Sequence, residues 1–337
     1  MKILTPIMSP NDIDVLNPNV YNTEFFFGYI PEWWINKYSK SYAFTENNVL
    51  STPINNRNDI KANTTSINDV KKIITKAKRY NTNAFLVLNA KYYPEYIYED
   101  LIKYLDEISS AGVTNIIASD IGLISLIENN YPNIKVAVSC LNQITNSKAV
   151  EFYLKFKNVN RIVFPRHMTV LEIKEIASKF PNTEFEFFIF SNKCLYDDGY
   201  CRSIHAFTPF CKDLFYNDFF YNESVIEGKK QIQYQNHAND FFNWTRNLIS
   251  SCDTQYCTNS FACSACSLKE LIVIPNIVSV KLSIRGHLVD ERKKQTIMAN
   301  EAIKFAQNGD LIGLQNAICR CFGKEDLCSS GDHCMMK

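Results

Sequence analysis

The stretch TNIIASDIGLISLIENNYPNIKVAVS, residues 114–139, decides how the chain folds. TNIIASD and IKVAVS are short apolar runs of strand length, and IGLISLIENNY between them repeats its apolar residues at helical intervals. A buried strand, an amphipathic helix and a second buried strand in about 25 residues is one strand–helix–strand unit of a parallel sheet.

The unit recurs in both directions. Upstream, SINDVKKIITKAKRY spaces Val70, Ile73, Ile74 and Ala77 as a helix face, NAFLVLN is a strand, and EYIYEDLIKYLDEISSAG is a helix ended by Gly112. Downstream come the helix SKAVEFYLKF, the strand RIVFP, the helix TVLEIKEIASKF and the strand EFEFFIF. EFFFGY (24–29) reads as an early strand, and SVKLSI (279–284) as a late one, followed by the helix DERKKQTIMANEAIKFAQ. At least seven such units without a reversal of strand order predict a closed TIM-like (β/α) barrel rather than an open sheet. The expected organisation is one barrel domain over 1–310, with a cysteine-rich insertion at 191–266 on the barrel mouth and a cysteine-rich tail at 311–337. No GxGxxG or GxxxxGK[ST] supports a nucleotide-binding loop.

Bulk composition narrows the partners. The 337 residues are 46% hydrophobic and 21% charged, with a net charge of +1, so no strong global field draws nucleic acid or anionic lipid. A local groove can still bind RNA. No apolar run reaches the length of a membrane span, and MKILTPIMSPNDIDVLN lacks the apolar core of a signal peptide. A cytoplasmic protein is expected.

That compartment governs the twelve cysteines, because a reducing cytosol disfavours disulfides. Apart from Cys140, all lie from Cys194 onward: Cys194, Cys201, Cys211, Cys252, Cys257, Cys263, Cys266, Cys319, Cys321, Cys328 and Cys334. Thiols serving as small core hydrophobes would scatter; bunched thiols point to a metal or iron–sulfur site. Cys194 and Cys201 fit a loop wrapped around a cluster corner, with Gly199 permitting the turn. Cys263 and Cys266 form a C-x-x-C pair before an expected helix, whose N-terminal dipole would favour thiolates. Cys211 lies close enough to replace a member of either pair. The single true C-x-x-C favours iron–sulfur over zinc, which remains the alternative. The tail cysteines could hold a second cluster or metal, donate one ligand to the first, or stay unligated.

A family resemblance ties these segments together. Glu186-x-Phe188, then Cys194, then Gly199-x-Cys201-x-Ser203 resembles the signature of the collagenase-like peptidase family of unknown catalytic type, peptidase family U32. ASDIGLISLI (118–127), VSCLNQITN (138–146), VFPRHMTVLEI (163–173) and CSLKELIVIPNIVSVKLSIRG (266–286) resemble further segments in that family's order. Departures occur: Ser191 stands for a glycine, Leu141 for a glutamine, and Ser283 and Ile284 for Glu and Gly. The resemblance implies a barrel with a [4Fe–4S] cluster on cysteines, Cys194 and Cys201 foremost. It also implies an oxygen-independent hydroxylase acting on a small molecule, a peptide or an RNA base, with prephenate as oxygen donor. The rivals are a peptidase and a non-catalytic iron–sulfur subunit paired with a homologue. HExxH and GxSxG are absent, which weakens the peptidase reading.

For an anionic donor, planar guanidinium groups are the natural partners. Arg166, after RIVFP, and Arg285, after SVKLSI, are expected at the barrel mouth, with Lys281 as a third positive candidate and His205 as an acid–base candidate. Glu184 and Glu186 share one strand face, either inside the barrel or toward solvent.

Overall fold

The computed structural model describes residues 1–40, 49–50, 53–57, 62–192, 199, 261–323, 327–329 and 333–335. Eight parallel strands form the barrel: β1 (Lys2–Pro6), β2 (Thr23–Phe27), β3 (Ala84–Leu88), β4 (Asn115–Ala118), β5 (Lys135–Val138), β6 (Val159–Val163), β7 (Glu184–Asn192) and, after the short β8 (Phe261–Cys263), β9 (Ile277–Leu282). Neighbours pair in chain order, β6 pairs with β7, β7 with β9, and β9 with β1, so the sheet closes on itself. The eighth barrel strand is β1, in KILTP, which the strand–helix rhythm did not announce because no helix of ordinary length separates it from β2. Two single-turn helices, Asp12–Leu16 and Pro18–Tyr21, make that crossover.

Helices cover the outside. They include α1 (Ile67–Arg79), α2 (Tyr98–Ser110), α3 (Ile121–Asn130), α4 (Ser147–Tyr153) and α5 (Val170–Lys179), then α6 (Leu268–Leu271), α7 (Val289–Gln307) and α8 (Leu311–Phe322). Their starts follow local chemistry. Asp120 accepts from Leu123 N–H at 2.7 Å, and Thr169 with Glu172 forms a reciprocal capping box. The face Val70, Ile73, Ile74 and Ala77 of α1 is buried, as its spacing requires.

Strand alternation divides the core in two. Phe25 and Phe27 join the large core between strands and helices, while Phe26 joins Leu4, Phe85, Val87, Ile117 and Ala137 in a separate cluster. Polar residues accompany this second cluster. Glu24 and Glu186 are fully buried, and Arg161 bonds Glu24 at 2.7 Å, Glu184 at 2.9 Å and Glu186 at 3.2 Å. The Arg161 guanidinium also lies over the Phe85 ring at 4.8 Å. Among the described residues no helix is long and apolar enough to cross a membrane.

Candidate functional site

In a barrel of this kind the loops after the strands line one rim, and side chains there are free to do chemistry. β2 ends before Gly28, β6 runs on to Arg166, β7 ends in Ser191 and Asn192, and β9 leads to Ser283 and Arg285. Between Asn192 and Phe261 the structure describes Gly199 alone, and the Phe261 backbone pairs with Asn192 in an antiparallel ladder. The expected 191–266 insertion therefore departs from and returns to the carboxyl-terminal end of β7. Most of it, including Cys194, Cys201, His205, Cys211, Cys252 and Cys257, lies outside the described residues.

Arg285 is the focus of the rim. It is 5% exposed, and its Nη2 donates to Asn55 Oδ1 at 2.6 Å and to the Arg57 carbonyl at 3.4 Å. Its Nη1 is buried with no hydrogen-bond partner among the described residues. Burial, and then the nearby Arg57 charge, pull its proton affinity down to about 9, still protonated at neutral pH. Asn55 donates to Asn63 Oδ1 at 2.9 Å, Asn63 donates to the Arg57 carbonyl at 2.9 Å, and Arg57 N–H returns to Asn55 Oδ1 at 3.1 Å. This ring of amides fixes the guanidinium without neutralising it.

Gly28 makes room for the arrangement. A Cβ there would stand 1.8 Å from Asn63 Oδ1 and 2.9 Å from Arg285 Nη1. Asn55, Arg57, Asn63 and Gly28 were not singled out from sequence. A glycine directly after a barrel strand was the available signal.

Arg166 is held on another part of the rim. Its Nη1 donates to Ser191 Oγ at 3.2 Å, Ser191 shares a 2.7 Å hydrogen bond with Ser283, and the guanidinium lies 6.0 Å from the Phe188 ring centre. Two of the family departures, Ser191 and Ser283, are thus joined to each other. Lys281 lies elsewhere: it is 8% exposed, with Nζ 3.0 Å from Glu186 Oε1 and 4.7 Å from the Phe26 ring centre. Its charge is balanced within the barrel, which favours a structural role over contact with a donor. Glu184 and Glu186 both turn toward Arg161.

Gly199, between Cys194 and Cys201, accepts from Lys91 Nζ at 3.5 Å. A Cβ on it would lie 2.8 Å from the Leu141 carbonyl and 2.3 Å from Gln143 Cγ. Gly199 therefore rests on the loop after β5, the one that carries Cys140.

Cys263 and Cys266 do not precede a helix of useful length. The turn Ala265–Ser267 leads into a four-residue α6, so the expected dipole is missing. Burial pushes the Cys263 and Cys266 thiols up instead. Among the described residues no cysteine is in a disulfide. Thiols are the right donors for an iron–sulfur cluster. The structure groups Cys263 and Cys266 with tail cysteines, as Cys263 forms a backbone bridge with Cys334.

The sequence profile of Peptidase family U32 matches residues 51–209, which hold Asn55, Asn63, Arg166, Cys194 and Cys201. The tRNA hydroxylation protein P1 of Bacillus subtilis is 29% identical over 136 residues, 40% of this chain and 32% of that protein. The tRNA hydroxylation protein P of Haemophilus influenzae is 32% identical over 100 residues, 30% of this chain and 22% of that protein. The matched segment thus spans no more than about a third of these relatives' own lengths. The solved U32 peptidase Mk0906 is 12% identical with a TM-score of 0.41, over 57% of this chain and 69% of that one.

Proposed function

We propose that this chain, whose residues 51–209 match the sequence profile of Peptidase family U32, is an iron–sulfur hydroxylation enzyme that binds an anionic donor at Arg285. The observation that carries the reading is the buried Nη1 of Arg285, which has no hydrogen-bond partner among the described residues. A buried guanidinium without a carboxylate is costly, and an incoming carboxylate would supply both the missing acceptor and the missing charge. Asn55 and Asn63 orient the guanidinium, and Gly28 leaves the space beside it. A dicarboxylate such as prephenate suits this pocket, and Arg166 on the same rim adds positive charge.

Cys194 and Cys201, with the C-x-x-C pair Cys263 and Cys266, would hold a [4Fe–4S] cluster, and Cys211 is the further candidate ligand. When bound, the cluster supplies Lewis-acid and one-electron chemistry at the mouth. The relatives named for tRNA hydroxylation support an RNA base as the acceptor. With a net charge of +1, contact with RNA would depend on local groups such as Lys91, Arg57 and Arg166 rather than on a global field.

The test is titration of prephenate into the anaerobically purified protein, followed by calorimetry and thermal melting. Saturable binding that raises the melting temperature, weakened roughly tenfold or more in Arg285→Gln, is expected. Absence of binding at full iron content, or equal binding by Arg285→Gln, would overturn the donor site.

A further inference from the structure

Two glycines on the rim each lie against a guanidinium nitrogen. Gly28 follows β2, and a Cβ on it would stand 2.9 Å from Arg285 Nη1 and 1.8 Å from Asn63 Oδ1. Gly286 follows Arg285, and a Cβ on it would stand 3.3 Å from Arg57 Nη1 and 3.5 Å from Ala62 Cβ. Ala62 and Asn63 are consecutive, so one dipeptide faces both glycines, and the two guanidinium groups border the same short stretch of chain. Gly286 holds a φ of +95°, a conformation that glycine adopts without steric cost. A side chain there would be strained and would press on Arg57.

The main chain of Arg57 is tied at both of its polar groups. Its N–H donates to Asn55 Oδ1 at 3.1 Å, and its carbonyl accepts from Asn63 Nδ2 at 2.9 Å and from Arg285 Nη2 at 3.4 Å. One arginine thus holds the other through the backbone, which brings two like charges together. Asn55, Asn63 and Arg285 are buried, and Arg57 is half-buried. Among the described residues the charge that acts on Arg285 is that of Arg57, and no carboxylate pairs with it. Like charges repel more strongly where water is excluded, and an anionic group at each of them removes the repulsion.

We propose that Arg57 is the second anchor of the Arg285 pocket, and that the pair selects a ligand with two carboxylates over a ligand with one. The assignment rests on the reading of Arg285 as the donor site. The buried Nη1 of Arg285 takes one carboxylate, and the half-buried Arg57 guanidinium takes the other, nearer solvent. A guanidinium suits this task because its paired N–H groups match the two oxygens of a carboxylate. Backbone bonds that fix Arg57 beforehand reduce the ordering cost of binding. Arg166 is held on another part of the rim through Ser191. Arg57 then serves the donor, and contact with RNA falls to Lys91 and Arg166.

Binding of prephenate, which has two carboxylates, and of phenylpyruvate, which has one, tests the pairing on the intact, anaerobically purified chain. Calorimetry should show wild type binding prephenate roughly tenfold or more tightly than phenylpyruvate. Arg57→Gln should lose that preference by weakening prephenate alone, whereas Arg285→Gln should weaken both ligands. The melting temperature of Arg57→Gln should stay near that of wild type, because the bonds of Arg57 to Asn55 and Asn63 are made by its backbone. Arg57→Lys keeps the charge without the fork and should retain part of the preference, which also guards against a folding defect in the glutamine variant. Gly286→Ala, by pressing on Arg57 Nη1, should shift the preference in the same direction as Arg57→Gln. An Arg57→Gln protein that keeps the full preference, or that weakens both ligands equally, would overturn Arg57 as the second anchor and leave Arg285 in place. If neither ligand binds the wild type, the donor pocket itself fails, and this assignment fails with it.

Discussion

Arg285 Nη2 donates to Asn55 Oδ1 at 2.6 Å, joining residues 230 positions apart. The bond holds a buried cation beside an amide ring, with the second terminal nitrogen of the guanidinium unpartnered among the described residues. Removing the cation therefore should not unfold the protein. In Arg285→Leu, Asn55 Oδ1 keeps the Arg57 N–H. The melting temperature should stay within a few degrees of wild type or rise, because an uncompensated buried charge is gone. A large drop in a thermal melt would instead make Arg285 a structural residue.

Gly28→Ala probes the same pocket from its opposite wall. The added methyl would collide with Asn63 Oδ1 and press on Arg285 Nη1. Displacing Asn63 also releases its bonds to Asn55 and Arg57. A loss of about 1–3 kcal/mol in chemical denaturation is expected, together with weaker prephenate binding. Wild-type stability and binding would mean that the close approach is not maintained in solution.

Lys281 and Glu186 should respond unequally to substitution. Glu186→Leu leaves Lys281 buried beside no carboxylate, and should cost about 3–5 kcal/mol in urea denaturation. Lys281→Met should cost clearly less, since Glu186 still pairs with Arg161. The reverse order would contradict the barrel-interior pairing.

Acid should weaken the same network. Burial raises the Glu24 carboxyl, but Arg161 first, and Lys2 and Asn83 after it, hold it below the usual glutamate range. A carboxyl depressed in the folded state adds stability that is complete above the unfolded value of about 4.3 and is lost as pH falls through the folded one. Glu24→Gln should therefore lie furthest below wild type near neutral pH, and the gap should close as the solution is taken below about pH 4. A gap independent of pH, measured by denaturation across the acid range, would remove Glu24 from the acid response.

The barrel was legible because its signal is local. Each strand and helix of 66–192 carries its own periodicity, and burial on both sides makes the strands uniformly apolar. β1 escaped notice, since a five-residue strand with single-turn helices after it shows no strand–helix rhythm. Arg166 and Arg285 were identifiable as residues following strands, while Lys281, on a strand, could not be told from a rim cation until its carboxylate partner was seen.

Sequence by itself determined the strand–helix order, the charge near neutrality and the supply of thiols late in the chain. Which thiols meet, and which cations stay unbalanced, was decided only by tertiary structure. Cys263 reaches Cys334 because β8 and the tail run side by side, and Gly199 rests against the loop carrying Cys140 although 59 positions separate those two residues. The physical reason is range. Backbone periodicity is fixed by neighbours within a few residues, whereas charge compensation and metal-ligand geometry depend on groups that closure of the barrel brings together.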